Sequence, residues 1–212
     1  MKKIFLSLAV VATSIAAQAQ EGFGFSEGDI LLEGSLQFNS QKNSFDNNGT
    51  EFSYKESSTL FTPKAGYFIN DQFALGIELG IGAAKGIETF GSTEAEEKSN
   101  AFYAGVFGRY YFLELGERFK TYSEVGVGMM NTKYTDDLGA VTKTSGFGAG
   151  LGLGVNYFLT PKIAINFELT DLLHFSTVKD KDTDVKTNEF GVNINQINNF
   201  FGTASFGLTF KL

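Results

Sequence analysis

The sequence predicts an all-β fold: an eight-stranded antiparallel up-and-down transmembrane β-barrel. Three observations carry that prediction. Hydrophobicity alternates with period two over segments long enough to cross a bilayer, a hairpin unit recurs, and the connections alternate short and long. Gly 25 against Pro 2 in 212 residues points the same way, because Gly weakens helix interiors.

The first segment is expected to be removed. Lys2 and Lys3 precede a mostly apolar run over 4–16, and Ala17-Gln18-Ala19 offers the small residues of a cleavage site. We expect residues 1–19 to be a cleaved secretory signal peptide, with Gln20 as an alternative edge. A membrane anchor is the competing reading, but the run is short for a helical span of roughly 20 residues. Residues 20–27 then form a short N-terminal segment, and 28–212 form the barrel.

Strands are expected at about 28–39, 54–68, 73–85, 100–113, 119–133, 145–159, 163–176 and 199–212. In the third, Phe73, Leu75, Ile77, Leu79 and Ile81 alternate with Ala74, Gly76, Glu78, Gly80 and Gly82. In the sixth, Phe147, Ala149, Leu151, Leu153 and Val155 alternate with Gly148, Gly150, Gly152, Gly154 and Asn156. In the last, Phe206, Leu208, Phe210 and Leu212 alternate with Gly207, Thr209 and Lys211. Successive side chains of a strand point to opposite faces, so one face is greasy and the other small. A soluble sandwich, or a lipocalin-like cup with its greasy face inward, would need polar residues on the second face. A narrow barrel instead needs small residues inside and apolar ones against lipid.

The hairpin unit recurs three times. Tyr67-Phe68-Ile69 precedes a turn at Asn70-Asp71 and then Glu78. Tyr111-Phe112-Leu113 precedes a turn near Gly116 and then Glu124. Tyr157-Phe158-Leu159 precedes a turn at Thr160-Pro161 and then Glu168. The Tyr-to-Glu separations are 11, 13 and 11 residues. Aromatics at strand ends suit a membrane–water interface. Long polar connections fall at 40–53, 86–99, 135–144 and 177–198, and short ones lie between. That alternation puts the short set in the periplasm and the long set outside. Phe190, Val192 and Ile194 alternate within the last long connection, as if extending the wall.

These residues resemble the small outer-membrane β-barrel domain family, the group of OmpA-, OmpX- and OmpW-like barrels, in its Bacteroidetes form. The resemblance is carried by Gly28-Asp29-Ile30-Leu31-Leu32-Glu33-Gly34, Pro63-Lys64-Ala65-Gly66-Tyr67-Phe68, Ala74-Leu75-Gly76-Ile77, Arg109-Tyr110-Tyr111-Phe112 and the last strand. The end of the chain is similar to the insertion signal of such barrels, through Ser205, Gly207, Phe210 and Leu212. Leu212 departs from the commoner Phe or Tyr, and the absence of Trp departs from the usual girdle. The resemblance implies a Gram-negative outer membrane, lipid as surroundings, and periplasmic chaperones and the barrel-insertion machinery as partners during export.

Composition narrows the function. A net charge of −7 argues against nucleic acid, which wants a basic face. With Cys 0 and His 1, thiolate and multi-His sites are excluded, and neither cofactor nor metal is expected. The Gly148–Gly154 run has period two inside one strand, unlike a nucleotide-binding fingerprint. Asp180, Asp182 and Asp184 are spaced like the start of a calcium loop, but Val185 stands where that loop needs Gly. Asp171, His174 and Ser176 suggest a hydrolase, but Asp171 and Ser176 have opposite parity. No enzyme is expected.

The inward set is Glu33, Lys64, Glu78, Arg109, Glu124, Glu168 and Lys211. Buried charges are costly unless paired. Lys64 is therefore expected near Glu78 on a diagonal, and Arg109 near Glu124, in a network that plugs the lumen. An ion or proton path is the other reading of the same residues. Inward Tyr103, Phe107, Phe158 and Phe201 also keep open a narrow channel or an OmpW-like transporter of small hydrophobic molecules. The reading preferred is a monomeric structural or interaction barrel, its specificity in the outer loops and its external ligand unknown.

Overall fold

The computed structural model describes residues 22–47, 50–91, 93–192 and 205–212. The expected signal segment and Phe201 lie outside the described residues. Nine strands are described: β1 Ile30–Asn47, β2 Thr50–Asn70, β3 Phe73–Phe90, β4 Thr93–Leu115, β5 Phe119–Thr135, β6 Val141–Thr160, β7 Ile163–Asp180, β8 Lys186–Val192 and β9 Ser205–Lys211. All neighbours are antiparallel, and β9 closes the ring by pairing with both β1 and β7. β9 lies along Ile163–Glu168 of β7, and β8 lies along Leu173–Lys179 of the same strand. The two pieces share one position, so the wall is eight strands round.

The faces follow the alternation. Large apolar side chains such as Phe38, Ile77, Ile81, Val106 and Met129 stand exposed on the outer wall. A continuous apolar surface of this kind cannot face water and fits lipid. The buried side chains include Glu33, Lys64, Arg109, Asn156 and Asn166. The protein is thus inverted relative to a soluble domain.

Local chemistry sets the turns. Asn70 accepts hydrogen bonds through Oδ1 from the Gln72 and Phe73 amides, both at 2.9 Å. Thr160 Oγ1 does the same for Lys162 and Ile163, at 3.3 and 3.1 Å. Side chains that bond the backbone two or three residues on are natural turn formers. Gly116 takes φ +69, which the turn after β4 requires.

Expected loops prove to be largely sheet: β8 lies wholly within the one expected over 177–198 and pairs with β7. The β1–β2 register runs unbroken from Ile30↔Tyr67 to Asn47↔Thr50, through the region expected as a loop over 40–53. The β3–β4 register likewise reaches Phe90↔Thr93. Inside these extensions Phe45 stacks on Phe52 at 4.9 Å, and Phe52 meets Phe90 edge-on at 4.5 Å. Outside, Glu96 pairs with Lys85 at 2.6 Å and also with Lys98. Those two hydrogen bonds hold the Glu96 carboxyl down at about 2. Its stabilising effect should be complete above the usual carboxylate value and fade as pH falls towards that lowered one. An NMR titration of Glu96 should show this, and Lys85→Gln should move its midpoint upward.

Candidate lumen network

A single connected network crosses the lumen, and every wall position of the ring contributes to it. Its hub is Arg109 on β4, which is fully buried. Arg109 donates from Nη1 and Nη2 to the two oxygens of Glu33 on β1, at 2.9 and 2.8 Å. Its Nε donates to Glu124 on β5 at 2.6 Å. A planar guanidinium serves three carboxylate oxygens at once in a way an ammonium cannot. The Tyr122 ring lies 4.0 Å from the guanidinium carbon and covers its remaining face.

Lys64 on β2 is the second cation. Its Nζ lies 2.6 Å from Glu124, 3.0 Å from Glu168 on β7 and 3.7 Å from Glu78 on β3. Lys64 stands directly opposite Glu78 in the register, and Arg109 directly opposite Glu124, rather than diagonally. The turns after β2 and β4 therefore set the cross-strand pairs face to face.

A neutral branch completes the circle. Thr209 on β9 donates to Glu33 at 2.8 Å and accepts from Asn156 Nδ2 on β6 at 3.0 Å. Asn156 Oδ1 accepts from Tyr111 at 2.6 Å, and Asn166 Oδ1 on β7 accepts from Tyr122 at 2.7 Å. Asn156 is the polar member of the small face of the sixth strand, a sequence signal that parity alone exposes.

The seven expected residues all face inward, but Lys211 does not join the centre. It lies at the end of β9 beside the N-terminal segment, with Nζ 3.7 Å from Asp29. Two residues beyond Thr209, it sits one layer below the network. Lys120 shares that end and pairs with Glu114 at 2.7 Å. Of the insertion-signal residues, Gly207 and Phe210 lie on β9, opposite Ser35 and Leu32.

Sequence reasoning set off the N-terminal segment over 20–27 but gave it no role. Phe25 enters the turn end of the barrel and stacks on Phe68 at 4.3 Å, with Tyr111 and Phe158 at 5.2 and 5.3 Å. Those three rings also correct the repeat. The matching triplets are Tyr67-Phe68-Ile69, Tyr110-Tyr111-Phe112 and Tyr157-Phe158-Leu159, each with its middle ring inward. Aligning Tyr111 with Tyr67, as spacing suggested, sets an inward ring against an outward one.

The Gly-rich face gives inward rings somewhere to lie. A Cβ at Gly154 would overlap the Tyr122 ring. Gly154→Ala should therefore push Tyr122 off Arg109 and Asn166 and cost about 1–3 kcal/mol. Denaturant titration of the heat-modifiable folded band checks this, and an unchanged midpoint would refute it.

Beyond the network, towards the strand extensions, lies a cavity of ≈ 440 Å³. Lys64, Glu78, Glu124 and Glu168 line it with the backbone of Gly126, Gly148 and Gly150. Two register shifts in β7 add a correction here. They set Asp171, His174 and Ser176 opposite Gly152, Gly150 and Gly148, all on the inward side. The parity argument that separated Asp171 from Ser176 assumed an unbulged strand. His174 Nε2 lies 3.3 Å from Glu189 on β8. In the loop of Asp180, Asp182 and Asp184 the Asp180 Oδ1 accepts from the Asp182 and Thr183 amides, both at 2.8 Å, which forms a turn.

Comparison with known proteins agrees with this architecture. The family described as "Outer membrane protein beta-barrel domain" matches residues 5–195. No curated protein matches. The outer membrane protein OprG of Pseudomonas aeruginosa is similar in fold, with TM-score 0.51 and 15% identity over 89% of this chain and 98% of that one. The outer membrane protein W of E. coli is 12% identical over 88% of this chain and 99% of its own, with TM-score 0.41.

Proposed function

The chain belongs to the outer membrane protein beta-barrel domain family and resides in the lipid of the bacterial outer membrane, and from that premise we propose that it is a sealed, non-catalytic barrel. In this reading the lumen network is a plug, and the strand extensions project outside the cell as the interacting surface. The observation that carries it is the interlock of Arg109, Lys64 and their carboxylates with side chains from every wall position. Buried ions joined this way exclude water and fix strand register, which a conducting path would not need. In this reading the barrel works as a monomer, since β9 pairs with both β1 and β7 and closes the ring without a second copy. Delivery by chaperones and insertion through the last strand follow from the family's route.

A second reading, a narrow channel or a carrier of small hydrophobic molecules, draws on the ≈ 440 Å³ cavity. The charged floor of that cavity favours the plug. Single-channel recording in planar bilayers separates the two. The intact chain should show no stable openings, and reproducible openings removed by Lys64→Met would replace the plug with a channel. Orientation has its own test, which Cys 0 makes clean. Leu138, at the tip beyond β5, is 88% exposed. A Leu138→Cys variant should react with an impermeant maleimide on intact cells, and reaction only after lysis would reverse the orientation.

A further inference from the structure

Each of the four extended hairpins carries two lysines directly opposite one another. Lys42 faces Lys55, Lys85 faces Lys98, Lys133 faces Lys143 and Lys179 faces Lys186. Directly opposed like charges destabilise a sheet, so the same arrangement on every hairpin points to something that compensates it. All eight lysines share the outward parity of the lipid-facing side chains. Most stand four residues beyond one of them, as Lys42 does from Phe38, Lys98 from Phe102, Lys133 from Met129 and Lys186 from Phe190. In a tilted strand, four residues rise about 10 Å. The lysines therefore leave the hydrocarbon and reach the headgroup layer, where long stems can bend back towards it.

Charge is sorted across the wall at this level. Glu56, Glu88 and Glu97 take the inward parity. On the outside, Glu96 lies between Lys85 and Lys98, and Asp184 lies 2.6 Å from Lys179. The Lys133–Lys143 pair is built differently. It borders a cleft of ≈ 230 Å³ on the outer wall, lined also by Asn100, Asn131, Lys181 and Phe102, with no carboxylate in the lining. Lys181 is held over it by its own amide, which donates to the Lys143 carbonyl at 2.9 Å, and by its Nζ, which donates to Asn131 at 3.3 Å. Three ammonium groups and two amides surround the opening. Phe102, at the top of the greasy band, forms its apolar side.

We propose that this cleft binds a phosphate group of an outer-leaflet lipid, and that the other lysine pairs extend the contact round the barrel. The chemistry is that of a phosphate on an acylated headgroup: ammonium and amide donors for the anion, and Phe102 beside the start of the acyl chain. Facing the outer leaflet rests on the orientation proposed above, whereas the binding itself does not. A failed binding test and a failed maleimide test are thus separate results.

Native mass spectrometry of the full chain refolded in detergent tests the site. The probes are bisphosphorylated lipid A, the same lipid without its phosphates, and inorganic phosphate. The chain should retain the bisphosphorylated lipid. The triple variant Lys133→Gln, Lys143→Gln, Lys181→Gln should bind it about a hundredfold more weakly, at roughly tenfold or less per lost ammonium. The corresponding Lys→Arg triple should retain it, and heat-modifiable migration should show that all three proteins are folded. Equal retention of the dephosphorylated lipid, or unchanged binding by the Gln triple, would overturn the proposal. Displacement of the lipid by millimolar inorganic phosphate would reassign the cleft to the free anion and overturn it as a lipid site.

Discussion

Arg109→Met is expected to destabilise the barrel by about 3–5 kcal/mol, the cost of removing one partner from a buried ion network. The reason lies in what stays behind. Glu33 would lose both guanidinium bonds and keep the Thr209 hydroxyl as a donor, while 5% exposed. Glu124 would retain Lys64, but Lys64 already serves Glu78 and Glu168. Met fills much of the space, so the loss would report the orphaned carboxylates more than a cavity. Adding Glu33→Gln to Arg109→Met should recover part of the stability, giving a coupling of about 1–3 kcal/mol in the cycle. Urea titration of the heat-modifiable band in detergent measures all four proteins. A loss below about 1 kcal/mol for Arg109→Met, or strictly additive effects, would mean that the hub does not hold the wall together.

The parts of this network differ in how far the sequence discloses them. Lys64–Glu78 and Arg109–Glu124 join neighbouring strands across short turns, so parity and separation suffice to bring them together. Glu33–Arg109 does not lie within a hairpin. It spans the lumen between β1 and β4, and its existence depends on how the sheet curls and closes. The strand ends are obscure for another reason. Over 40–53 and 86–99 the alternation continues, but polar residues occupy both faces and the hydropathy contrast vanishes. Cross-strand stacks such as Phe45 on Phe52 keep the sheet going there. The bulges in β7 are equally hidden, and they reversed the parity of Asp171 relative to Ser176. The lysine pairs, by contrast, become visible once the hairpin register is known, because no local pattern marks two lysines 13, 10 or 7 residues apart as neighbours.

Phe25→Ala is the second substitution expected to have a large effect, at about 2–4 kcal/mol, because it empties a stacked aromatic site. The segment around it is fastened at several points. The Gly28 amide donates to the Phe68 carbonyl at 2.9 Å, the Glu27 amide to Asp71 at 2.8 Å, and Phe23 lies 4.6 Å from the Arg118 guanidinium. Ala at position 25 would keep those anchors and remove only the ring between Phe68, Tyr111 and Phe158. The ring lies at the turn end of the lumen, one layer below the Arg109 network, so if the proposed plug is right the two would act as seals in series. Phe25→Ala should therefore lose stability in urea titration and remain electrically silent in planar bilayers. Combining it with Arg109→Ala should produce openings that neither single variant shows. Stable openings from Phe25→Ala alone would mean that the charged network does not close the lumen and that the aromatic cap does, which would move the plug from β4 to the N-terminal segment.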